Sequence, residues 1–101
     1  MTTDRISRAK ILDASNLRLR VGDIVKHFKR ELLLDNQDQM IYLYQIIAYA
    51  MDTTNGGYCV VYKPLYDTEV DTFVRSVEEF FAEVDKSKYP NIEQKYVFEK
   101  V

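Results

Sequence analysis

The sequence predicts a mainly β (α+β) fold: a small, strongly bent, antiparallel SH3-like β-barrel with one helix, at about 77–85, before its last strand. Three observations lead there. Met40 to Met51 is apolar on both faces of any strand it could form. Asn55-Gly56 follows, and Gly57 to Lys63 resumes an apolar run, which is the layout of a hairpin. One strong helix start, at Ser76, comes near the end of the chain. A chain of 101 residues, 47% of them apolar, has material for one core. A strand with two apolar faces needs a neighbour on each, and in so short a chain a closed sheet supplies both.

Residues 1–19 read as an N-terminal extension. Ile6, Ala9, Ile11 and Leu12 make a thin apolar stripe, giving a short helix or a loose arm over 4–14. Residues 20–101 are the single domain. Leu17-Arg18-Leu19-Arg20-Val21 alternates strictly and predicts a half-buried strand. Gly22-Asp23 allows a bend, and Ile24 to Lys29 resumes as strand. Leu32, Leu33 and Leu34 are expected to turn so that two of them enter the core, ahead of a polar loop at 35–39.

Met40, Leu43, Tyr44, Ile47 and Met51 would also fit a buried helix, but the Ile and Tyr content favours a strand. The expected hairpin pairs about 41–53 with 57–63 through a type I′ turn at Asn55-Gly56. Pro64 ends the second arm, Asp67 to Asp71 is an acidic turn, and Val70 to Arg75 returns as strand. Ser76-Val77-Glu78-Glu79 fits a capping box, and Val77, Phe80, Phe81 and Val84 form one apolar helix face. Tyr89-Pro90 forbids continuation, and Gln94 to Val101 closes the sheet with Tyr96 and Phe98 on one face.

Charge and cysteine usage exclude several functions. The formal net charge is −2, yet residues 1–30 carry +5 and residues 31–101 carry −7. A basic front can meet an anionic partner, but its first candidate is the protein's own acidic half. Cys59 is the only cysteine, so an intrachain disulfide and a thiolate zinc cage are excluded. Its apolar neighbours suggest a buried, inert thiol. The N-terminus leads into no apolar signal segment, and the 12-residue run Met40–Met51 is short of the roughly 20 residues a membrane span needs. The expected location is therefore cytoplasmic, with no membrane partner.

From Val21 onward the chain resembles the bacterial family catalogued as domain of unknown function 1653. The residues that carry the resemblance are Val21-Gly22-Asp23-Ile24-Val25-Lys26-His27-Phe28-Lys29-Arg30-Glu31, Tyr42 to Ala48, Val60 to Tyr66, Val74-Arg75, and Val84-Asp85 through Lys88-Tyr89-Pro90 to Glu99. It spans about residues 20–101. The resemblance implies a compact, mostly β bacterial domain and supplies no activity. The family's His and Glu after the position of Ala48 are replaced here by Met51-Asp52-Thr53-Thr54-Asn55, and its Arg-Pro pair is Arg75-Ser76. Of the family's polar residues, His27, Lys29 and Arg75 are kept.

Chemistry is sparse. His27 is the only histidine, and a nucleophilic dyad would have to draw on it. Cys59 lies on a separate predicted strand, and a hydrogen-bonded strand histidine is the favoured reading. Asp67, Glu69 and Asp71 read as a solvated turn before they read as an acid–base pair. No metal site, cofactor motif or phosphate loop is present in the sequence. The compositional oddity is 8 tyrosines, six of them (Tyr42, Tyr44, Tyr49, Tyr58, Tyr62, Tyr66) in or just after the hairpin. About four are expected in core roles and two on a usable surface. Tyrosine makes good contact surfaces at low conformational cost. The favoured function is a non-catalytic binding module for a protein or peptide partner, with His27, Lys29, Tyr44, Tyr62 and Arg75 as binding candidates. The alternatives are single-stranded nucleic-acid binding through the basic N-terminal third, and a small ligand-processing enzyme using His27.

Overall fold

The computed structural model describes residues 19–101. The N-terminal helix or arm, and the Leu17-Arg18 half of the first expected strand, lie outside them. Five antiparallel strands, in the order β4-β3-β2-β1-β5, form one sheet: β1 Ile24–His27, β2 Leu43–Asp52, β3 Gly57–Pro64, β4 Phe73–Ser76 and β5 Phe98–Lys100. A 3-10 turn, Phe28–Leu32, follows β1, and a four-residue helix, α1 Val77–Phe80, follows β4.

The expected hairpin is present. Met51 pairs with Tyr58 and Asp52 with Gly57 at its tip. Its turn is a four-residue loop rather than a two-residue type I′ turn: the Asp52 carbonyl accepts from the Asn55 and Gly56 amides, and only Gly56 has positive φ, at 76°. The Asn55 side chain instead accepts from the Gly57 amide at 2.7 Å, an Asx arrangement that competes with the left-handed backbone at Asn55.

The sheet does not close into a barrel, and a bulge explains why closure is unnecessary. Ile46 pairs with Tyr62 but Ala48 pairs with Val61, so Ile47 is the extra residue. The bulge reverses the alternation along β2. Tyr44 and Ile46 face inward before it, and Tyr49, opposite the fully buried Val60, faces inward after it. A run that reads as apolar on both faces therefore feeds one inner face in two phases, and Ile47 itself stays 42% exposed. The open sheet is nonetheless strongly curled. A flat sheet would hold β4 and β5 about 19 Å apart. Here the Arg75 guanidinium of β4 sits 5.3 Å from the ring centre of Phe98 of β5.

Inside the curl lie Leu19, Val25, Tyr44, Ile46, Val60, Tyr62, Phe80 and Phe98. Phe80 and Phe98 stack at 4.1 Å with 4° between their planes. A second cluster, Phe28, Val84 and Ile92, sits beneath the C-terminal segment.

The helix expected at 77–85 stops after one turn. Half of its capping box is as expected: the Glu79 amide donates to Ser76 Oγ at 3.2 Å, whereas the Glu79 carboxylate accepts from the Ser76 hydroxyl, at 3.1 Å, in place of the Ser76 backbone amide. At Phe81 the chain leaves the helix, because the next residues find strand partners. The Val84 amide donates to the Lys95 carbonyl and the Val97 amide to the Ala82 carbonyl, with Glu83 bridging Tyr96. Val84 is thereby moved from the helix face into the second cluster.

Other expectations are corrected at the edges of elements. Leu19 is buried, but residues 19–23 turn instead of forming a strand: the Asp23 amide donates to the Arg20 carbonyl, Gly22 has φ 95°, and Val21 is 59% exposed. β1 ends at His27, so Lys29 lies in the 3-10 turn. Leu32 and Leu34 are exposed, because that turn directs Phe28 inward instead. β4 starts at Phe73, not Val70, which is 57% exposed in the preceding loop. The closing strand is confined to Phe98–Lys100, since 94–97 is occupied by pairing with 82–84 and by side-chain hydrogen bonds. No helix among the described residues is long and apolar enough to cross a membrane.

Candidate functional site

His27 ends β1 opposite Phe98, on the inner face that alternation assigns to Val25. Its Nδ1 accepts the Lys29 amide at 3.1 Å and caps the 3-10 turn. With Nδ1 an acceptor, the proton of the neutral ring belongs on Nε2. The imidazole packs on Phe28 at 4.5 Å, edge-on to Phe98 at 5.1 Å, and against Tyr42 at 5.7 Å. Burial lowers its pKa to about 4, with the charges of Arg75 and then Lys29 acting in the same direction. At neutral pH His27 is therefore an uncharged N–H donor.

Arg75 occupies the inner position of β4 opposite Val60. Phe80 covers one face of the Phe98 ring, so Arg75 lies over the other. Among the described residues the one ion pair is Lys100 with Asp23, so neither Arg75 nor Lys29 faces a carboxylate within ion-pairing distance.

Tyr44 and Tyr62 converge on the same ring, at 5.7 and 5.6 Å from Phe98. They are 6% and 4% exposed, which corrects the expectation that they offer an open surface. They support the site from beneath. Tyr44 Oη lies 2.7 Å from Tyr66 Oη, and burial, followed by this hydrogen bond, pushes the Tyr44 phenol well above its ordinary pKa. The hydroxyl stays neutral.

Sequence reasoning missed Tyr42, Tyr66 and Phe98 as members of this cluster. Tyr42 has φ 70°, a left-handed conformation uncommon for so bulky a residue. It is the third residue of a turn closed by the Leu43 amide on the Met40 carbonyl at 3.1 Å. That position ordinarily takes Gly or Asn, so no turn signal announced it. The strained backbone holds the Tyr42 ring beside His27 and 6.5 Å from Tyr66. All 8 tyrosines are at least half-buried, so the expected division into core and surface tyrosines becomes a graded rim.

A dyad of His27 with Cys59 is not assembled. Val60 points inward, so alternation puts Cys59 on the outer face, away from His27. Asp67, Glu69 and Asp71 lie exposed in the loop between β3 and β4. Among the described residues no three His, Cys, Asp or Glu side chains gather as a metal site would require.

Fold and site together define a small, mainly β domain with a curled open sheet and a basic, aromatic cluster at its inner face. The chain belongs to the family described as "Protein of unknown function (DUF1653)", whose model matches residues 23–98. The match spans every residue of the cluster. No curated protein and no solved structure matches the chain.

Proposed function

We propose that this chain is a non-catalytic binding module for a protein or peptide partner. Its recognition site is His27, Lys29 and Arg75, with Tyr42 and Tyr66 at the sides and Tyr44 and Tyr62 as support. The observation that carries this reading is the unmatched positive charge: Arg75 and Lys29 both oppose protonation of His27, and no carboxylate pairs with either among the described residues. A partner's anionic group would remove that imbalance. The cytoplasm is the expected setting. The ring nitrogen that a base would need is occupied by the Lys29 amide, which favours binding over proton transfer.

The test is capture of partners on the immobilised full chain from an extract of the source cells. Proteins that bind through this site are retained by the unchanged chain and by Lys95→Ala, and lost from Lys29→Ala and Arg75→Ala. Retention on all four would overturn the reading.

A further inference from the structure

We infer that the free edge of β4 is a docking site for an extended segment of a partner protein that carries a basic residue at every second position. This surface is separate from the His27 site, since it lies along the edge of the sheet and on its outer face.

β4 ends the sheet and, among the described residues, pairs only with β3, so its other side can receive a further strand. Val74 pairs with Val61 and Ser76 with Cys59, which puts both on the outer face. Val74 is 63% exposed there. Beside it opens a cleft of about 690 Å³, bordered by Asp52, Cys59, Val74, Ser76, Glu78 and Glu79. Arg75 also borders the cleft, but its guanidinium lies over Phe98, inside the curl. Charge then names the occupant. From Asp67 to Glu79 the chain carries five carboxylates against one basic group, Arg75. None of the five, nor Asp52, is in an ion pair among the described residues. A second copy would bring its own carboxylates to this edge, so self-pairing is opposed, whereas a basic strand is attracted. Alternation sets the pattern along that strand. Its outer side chains run past Val74 toward Glu78, Glu79 and the cleft, where basic groups are matched. The side chains between them fall beside Phe73 and Arg75, where a like charge is rejected.

The test is an NMR titration of the full chain, at low salt, with a capped heptapeptide that alternates lysine and valine. Two controls leave the protein untouched: the same peptide with glutamate for lysine, and the lysine peptide N-methylated at every residue, which keeps its charge and has no backbone donor. The lysine peptide should shift the backbone amides of 73–76, 78 and 79 and slow hydrogen exchange along β4. Both controls should bind at least about tenfold more weakly. Asp52→Asn, Glu78→Gln and Glu79→Gln combined in one protein should weaken the lysine peptide by about tenfold, as three exposed charge pairs would. Equal binding of the glutamate peptide, or of the N-methylated one, would overturn the inference. So would shifts centred on His27 in place of β4, or silence toward the lysine peptide. Shifts along β4 on concentrating the unliganded chain would assign the edge to a second copy and overturn it as well.

Discussion

The β2–β3 hairpin and the C-terminal segment 81–97 are held by different forces. The hairpin is a backbone ladder over eight paired positions with side chains alternating between a buried and an exposed face. The C-terminal segment has one isolated bridge, a few local turn bonds and one backbone bond from the Phe28 amide to the Val97 carbonyl, and for the rest it is held by side chains that reach the backbone. The buried Gln94 amide donates to the carbonyls of Lys26, Tyr96 and Val97. The Glu31 carboxylate accepts the Glu93 and Gln94 amides, both at 2.9 Å. Glu99 accepts those of Lys95 and Tyr96, and Lys86 Nζ donates to the carbonyls of Ile92 and Gln94. A ladder distributes its stability over many equivalent bonds. The C-terminal segment concentrates it in a few polar residues, each of which satisfies several backbone groups.

The largest expected effect comes from the residue that joins the two regions. Phe98 pairs with β1 and stacks on Phe80, so Phe98→Ala should cost about 3–5 kcal/mol in chemical denaturation. A loss below about 1 kcal/mol would mean that the two regions are energetically separate.

Gln94→Leu sharpens the contrast. It keeps the size, adds apolar surface and leaves three carbonyls without that donor, so it should destabilise by about 1–3 kcal/mol. Lys63→Leu, on the exposed outer face of β3, should stay within about 0.5 kcal/mol. Hydrogen exchange should quicken at 93–97 in the first variant and nowhere in the second. Equal effects would erase the distinction.

Stability should also depend on pH through His27. Its folded pKa, about 4, lies below the ordinary 6.5, so the unfolded chain binds the proton more readily. The neutral ring's contribution is complete above about pH 6.5 and is lost as pH falls toward 4. Denaturation midpoints should fall more steeply over that window in the unchanged protein than in His27→Asn, whose side chain keeps an acceptor for the Lys29 amide. Parallel curves would remove His27 as the titrating group.

Gly56→Ala tests the hairpin tip at the smallest scale. No atom lies within 4 Å of the added Cβ, so the cost is the left-handed backbone alone, about 1 kcal/mol. Thermal melting that matches the unchanged protein would show that the loop relaxes into another turn.

Local chemistry was legible where it acts through neighbours in sequence. The Ser76 cap, the hairpin arms and the termination at Pro64 follow from propensity and spacing. The bulge at Ile47 was not legible, because an inserted residue in an unbroken apolar run leaves the composition unchanged and shifts only the phase. Val84 fits a helix face and a strand equally well, and the carbonyl of Lys95 decides between them. Gln94 looks like any surface glutamine until three carbonyls converge on it. Of the residues in the proposed site, His27, Lys29 and Arg75 were singled out from the sequence. Tyr42 and Phe98 were not, since one depends on a strained turn and the other on the curl of the sheet.

The order of residues by itself determined a mainly β domain, its central hairpin, and the capped start of a helix. Each depends on contacts between residues near one another along the chain, where steric and hydrogen-bonding preferences act without a partner from elsewhere. Tertiary structure alone decided that the sheet stays open yet curled, that the helix ends after one turn, and that Arg75 meets His27 around Phe98. Those outcomes turn on which backbone groups and rings compete for the same buried partners, and that competition exists only once distant segments are packed together.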